Sequence, residues 1–234
     1  MTYKQRSNTI AGIRTGLLLI TALVFTSSAT KAASILVNGS FEQGPAAGSF
    51  VNLPGGTTSI TGWVVTGEGI DYIGTLWTSS NGIHSLDLDG SVGSTITPPF
   101  VHGGIAQTFA TSPGTAYLVT FDMAGNPANA PTIKPMRVSA AGQQMDFTFD
   151  ITGKSFANMG WLPKSWSFTA NSASTTLTFS SLTISPLTGW GPALDNVSVT
   201  AAASAVPEPS TFVLLGAALA GIGARRWRKS RLTK

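Results

Sequence analysis

Met145, Phe147 and Phe149 alternate with Asp146, Thr148 and Asp150. A period of two belongs to a strand with one buried face, whereas a helix would repeat every three to four residues. Tyr117, Val119, Phe121 and Met123 repeat the pattern, as do Trp166, Phe168 and Ala170, and Leu177 with Phe179. Shorter candidates lie at 63–66, 70–73, 85–88, 105–109, 136–140 and 194–199. Between them stand turn signals: Pro54-Gly55-Gly56, Asn81-Gly82, Pro113-Gly114, Asn126-Pro127 and Thr152-Gly153. No long helical periodicity runs through residues 34–200. About ten short strands at this spacing predict an all-β sandwich.

The two ends read differently. Lys4, Arg6 and Arg14 flank a short apolar run at 17–25, and Thr30-Lys31-Ala32 suits a signal peptidase. Residues 1–32 are thus expected to be a signal peptide, helical in its apolar part and cleaved after Ala32. A small-residue linker, 201–206, leads to Pro207-Glu208-Pro209. There follow the apolar or glycine residues 212–224, and then Arg225-Arg226-Trp227-Arg228-Lys229. The run is expected to be a short hydrophobic helix, too short for a comfortable span, with its basic end held on the cytoplasmic side. The alternative is a plain membrane anchor.

Charge is concentrated at those ends. Residues 33–206 hold four Lys or Arg against nine Asp or Glu, so the domain stands near −5 although the whole chain is +4. Nucleic-acid binding needs a basic face on the folded domain and is not expected. There is no cysteine, which removes disulfides, thiolate metal sites and cysteine nucleophiles.

The tail at 207–234, with Pro207, Glu208, Pro209, Arg225 and Arg226 in order, resembles the PEP-CTERM sorting signal of Gram-negative bacteria. The resemblance implies recognition by an exosortase, removal of the tail, transient inner-membrane anchoring, and a place at the cell surface or in an exopolysaccharide matrix. The domain at 33–200 opens with Leu36-Val37-Asn38-Gly39-Ser40-Phe41-Glu42. It passes through Gly62-Trp63, Ile70-Asp71-Tyr72-Ile73 and Ser85-Leu86-Asp87-Leu88-Asp89-Gly90, and closes with Ala193-Leu194-Asp195-Asn196-Val197. In this it resembles the choice-of-anchor C domain and the similar DUF642 domains of plant cell-wall proteins. The fold implied is a galactose-binding-like jelly roll, shared by many carbohydrate-binding modules.

That fold often holds a structural calcium near its first and last strands, which the resemblance implies for Glu42 and Asp195. The alternative is that the two carboxylates only hydrogen-bond loop backbones. Sugar binding calls for exposed rings beside polar groups. Trp77 and Trp190 are the first candidates for such rings and Tyr72 the third, while Trp63 and Trp166 are expected in the core; the alternative is that Trp77 and Trp190 both pack over the ends of the sandwich. Asp87 and Asp89 share a strand face, but beside Gly90 they suit a turn or an ion better than a glycosidase pair. His84, placed on a strand, and His102, placed in a loop, are expected at the surface. No Gly-x-Ser-x-Gly elbow or phosphate loop is present. The expected function is a non-catalytic surface or matrix protein that binds extracellular polysaccharide. The alternatives are a structural or adhesive protein without sugar binding and a secreted glycosidase or esterase.

Overall fold

The computed structural model describes residues 33–90, 102–183 and 189–202, together with 216, 219, 221 and 222 of the tail, which are helical. The chain divides into two units, Met1–Lys31 and Ala32–Lys234. The signal-peptide expectation and the sorting residues Pro207, Glu208, Pro209, Arg225 and Arg226 lie outside the described residues. Among the described residues no helix is long and apolar enough to cross a membrane.

Eleven strands follow in order: β1 (Phe50–Pro54), β2 (Val64–Thr66), β3 (Gly69–Ile73), β4 (Ser85–Asp87), β5 (Gly104–Ala110), β6 (Ala116–Gly125), β7 (Ile133–Ala140), β8 (Gln143–Asp150), β9 (Leu162–Thr169), β10 (Ser174–Ser181) and β11 (Pro192–Ala201). They form a six-stranded sheet, β1-β3-β4-β11-β6-β9, and a five-stranded sheet, β2-β5-β10-β7-β8. All the pairings are antiparallel. This is the jelly-roll sandwich, with β1 as a strand beyond the ten expected. β1 is five residues long and runs into the Pro54-Gly55-Gly56 turn, so it shows no alternation of its own.

The core lies between the sheets. Tyr117, Val119, Phe121 and Met123 on β6 face Met136 and Val138 on β7 and Leu177 and Phe179 on β10, and all are buried. Phe121 meets Phe147 and Phe179 edge-on, with centroids 5.2 and 5.1 Å away, a favoured aromatic geometry. Trp63 is buried as expected. Trp166 is only half-buried, because β9 is an edge strand of its sheet among the described residues. Gln143 ties that edge to the opposite sheet: its amide donates to the Thr169 carbonyl (2.8 Å) and accepts the Thr169 N–H (3.2 Å).

The opening segment forms no strand but lies along the last one. Ile35 N–H donates to Val199 O (2.9 Å), and Val197 N–H donates to Gly39 O (2.8 Å). A Cβ on Gly39 would stand 1.9 Å from the Val197 carbonyl oxygen, so only glycine allows that approach. β11 is irregular between Asp195 and Ser198, with Asn196 left-handed at φ 52°.

Candidate functional site

The connection from β3 to β4, residues 74–84, encloses the candidate site. It bounds a cavity of about 550 Å³ lined by Gly48, Trp77, Thr78, Ser79, Ile83 and His84 with their neighbours. Such a volume is in the usual range for small-ligand sites. Among the described residues no carboxylate lines it.

The loop is fixed from three sides. Glu42 Oε1 accepts the N–H groups of Ile83 (3.1 Å) and His84 (3.0 Å). Asp195 Oδ2 accepts the N–H of Asn81 (2.8 Å), and Ser80 Oγ donates to Asp122. From the β8–β9 connection, Trp161 donates its indole N–H to Thr78 O (2.9 Å), and Phe156 packs against Trp77 at 6.2 Å. Gly82 turns at φ 66°, and a Cβ there would strike Glu42 Oε1 at 2.3 Å. The Asn81-Gly82 turn therefore needs glycine for its conformation and for the carboxylate beneath it.

His84 sits immediately before β4, half-buried, not at the surface of a strand. Its ring stacks on Tyr72 with centroids 4.7 Å apart. Nδ1 lies 2.9 Å from the Ile73 carbonyl. In the neutral ring that contact puts the proton on Nδ1 and leaves Nε2 as an acceptor.

Two of the expected surface rings are not at the surface. Trp77 is 4% exposed, because its loop folds down onto the sheet and buries the indole, whose N–H donates to Ser85 Oγ (2.8 Å). It still forms one wall of the cavity. Tyr72 is 0% exposed, because it belongs to the inward row of β3, and its hydroxyl donates to Phe41 O (2.6 Å). Trp190 is half-buried, and its carbonyl accepts a hydrogen bond from Lys134 Nζ (2.6 Å). It does not line the cavity formed around Trp77.

The carboxylates expected to hold calcium are engaged by N–H donors. Besides the bonds to the loop, Asp195 Oδ1 accepts the Asn196 N–H at 2.6 Å. Calcium wants six or more oxygens, and among the described residues no three His, Asp or Glu stand together to hold a metal. The donor set fits a backbone clamp and does not fit a calcium cage.

His102 is half-buried as a residue, but its side chain is only 6% exposed, contrary to the surface expectation, and its Nδ1 meets the buried Asp89 Oδ1 at 2.9 Å. Asp87 ends β4 and Asp89 lies in the bend after it, and both are buried. Asp87 Oδ1 accepts the N–H groups of Asp89 (3.0 Å) and Gly191 (2.9 Å), and Oδ2 accepts from Asn126 Nδ2 (2.9 Å). Burial first, and then Asp71, pushes Asp87 up to about 8. Lys134, also buried, went unremarked in the sequence. Its signal was its phase: it stands on β7 in the same inward row as Met136, Val138 and Ala140. Its Nζ donates to Asn129 O (2.8 Å) as well as to Trp190 O.

Among solved structures the chain is similar to a family 61 carbohydrate-binding module in complex with β-1,4-galactotriose. The TM-score is 0.45 at 13% identity, over 73% of this chain and 100% of that one. It is also similar to the CBM22-1 xylan-binding domain from Paenibacillus barcinonensis Xyn10C (TM-score 0.41, 14% identity, 69% and 99% covered). A family 35 module from Clostridium thermocellum is comparable (0.40, 14%, 65% and 99%). Halomucin of Haloquadratum walsbyi is 29% identical over 189 residues, and the match spans 78% of this chain but 2% of that protein. Residues 205–229 match the PEP-CTERM protein-sorting motif. Residues 34–200 match the profile described as "Protein of unknown function (DUF642)", and the chain belongs to that family.

Proposed function

We propose that this is a non-catalytic surface protein that binds a neutral sugar in the cavity of the β3–β4 loop and so associates with extracellular polysaccharide. The observation that carries the reading is the make-up of that cavity. Trp77 and Ile83 offer apolar surface to the C–H face of a pyranose, while Thr75, Thr78, Ser79 and His84 supply hydrogen-bonding groups for hydroxyls. A glycosidase would need two carboxyls flanking the scissile bond, and the described lining has none. The domain's negative charge disfavours strongly anionic polymers. The sorting motif supports export, a station at the membrane or cell surface and exosortase as a processing partner, and the N-terminal apolar run supports signal peptidase as the other.

The test is affinity electrophoresis of the protein in a series of neutral and anionic polysaccharides, beside His84→Ala and Ile83→Asp. Retardation by a neutral polymer, reduced about tenfold or more in both variants while their melts stay close to wild type, supports the site. One lost cavity contact of ~1.4 kcal/mol is already tenfold. Absence of retardation by every polymer favours a structural or adhesive role without sugar binding.

A further inference from the structure

Only three residue pairs join β3 to β4, and one of them sets Asp71 directly against Asp87. Both side chains are buried, at 4% and 0% exposure. From β1, Asn52 Nδ2 donates to Asp71 Oδ1 (2.9 Å). From beyond β6 comes Asn126, and from the start of β11 the Gly191 N–H, both onto Asp87. Among the described residues, the charged groups facing Asp87 besides Asp71 are Asp89, in contact with His102, and Lys134 of β7, whose hydrogen bonds go to two carbonyls. Like charges opposed across neighbouring strands are destabilising, and two carboxyls in one buried site resist ionising together.

The geometry points to a proton held on Asp87, buried opposite Asp71 across the two strands, as the lock of the β3–β4 hairpin, whose release loosens the hairpin and the cavity loop between its strands. The bearing on binding rests on the sugar-binding reading of that cavity. The lock itself does not. Its working range follows from Asp87, which lies far above the ordinary carboxylate value. Stability from a carboxyl raised in the fold is complete below its unfolded value and is lost as pH climbs through its folded value, here about 8. Lys134 is pushed down to about 8 by burial, so it contributes only above that point and with the opposite sign. Asp195, raised to about 7, gives a slope of the same sign, which cancels when wild type is compared with a variant at position 87.

The experiment takes protein purified from its host and follows melting temperature and hydrogen exchange from about pH 5 to about pH 9. Wild type should lose melting temperature and exchange protection in β3 and β4 across that range, and in Asp87→Asn the fall should shrink. Equal slopes in the two proteins overturn the lock. Should Asp87→Asn fail to fold, Asp71→Asn removes the opposing charge and should move the fall to lower pH, and an unmoved profile overturns the lock as well. Exchange in residues 74–84 that stays constant while β3 and β4 loosen overturns the coupling to the cavity. These readouts use no glycan, so they are separate from any failure of sugar binding.

Discussion

Glu42 and Asp195, from the first and last segments of the domain, grip one loop: Glu42 holds the amides of Ile83 and His84, and Asp195 holds that of Asn81. The opening segment and β11 run side by side, so the loop is fastened where the domain's two sequence ends meet. A charged acceptor is worth about 1.5–3 kcal/mol for each amide it satisfies. On that scale Glu42→Ala, which frees two amides, should lower stability by about 3–6 kcal/mol, and Asp195→Ala by less, because burial raises that carboxyl to about 7 and it is not fully charged at neutral pH. The double variant should lose less than the sum, since once the loop is freed the second grip has nothing to hold. Denaturant titration of the three variants checks both statements.

Trp77 is a wall of the cavity and also part of the packing, and substitutions should separate the roles. Trp77→Ala empties a buried site and should cost about 3–5 kcal/mol, so any loss of binding would be confounded with unfolding. Trp77→Phe keeps an aromatic wall but leaves Ser85 Oγ, itself buried, without the indole donor. It should cost about 1–3 kcal/mol. Thermal melts should therefore rank wild type, then Phe, then Ala.

Asp195 gives the clamp a pH dependence of definite sign. Burial pushes it up to about 7, with Asp122 adding to the rise, against the amides of Asn81, Asn196 and Ser80. A carboxyl raised in the fold gives stability that is complete below the ordinary carboxylate range and is lost as pH rises toward about 7. The domain should melt higher near pH 5 than near pH 7, and Asp195→Asn should flatten that difference. A profile that rises with pH over this interval would reverse the sign and remove the argument.

The sandwich was legible because alternation survives wherever a strand has one wet face. Tyr117 to Met123 and Leu177 with Phe179 announced inward rows that are buried in the fold. β1 announced nothing, being short and closed by proline. The site was less legible for one physical reason: residues 74–84 fold back onto the sheet. A loop assumed to project into solvent puts Trp77 outside, but a loop pinned by Glu42, Asp195 and Trp161 puts it inside. Other contacts enclose His102 and Asp87, from Asp89 onto the first and from Asn126 and Gly191 onto the second, and neighbours in sequence that read as turns do not show them. Lys134 could have been found from its phase on β7, since a lysine in an apolar row must meet polar groups within the fold.

The tail sets a prediction about the mature chain. The PEP-CTERM match covers 205–229, and its Pro-Glu-Pro element precedes an apolar stretch that ends in Arg225 and Arg226. Thirteen residues from 212 to 224 are short for a membrane helix, which needs about 20. The segment suits a brief halt in the bilayer while the basic cluster stays on the cytoplasmic side. Protein recovered from the cell surface should then lack Arg225 and everything after it, whereas the membrane fraction should hold an uncut form. Replacing Pro207, Glu208 and Pro209 by alanine should shift the balance toward that uncut form without changing the melt of the domain, because the three residues follow β11, the domain's last strand, which ends at Ala201. Intact-mass measurement of both fractions decides the matter, and a surface form that retains the arginines would mean that the tail is a plain anchor.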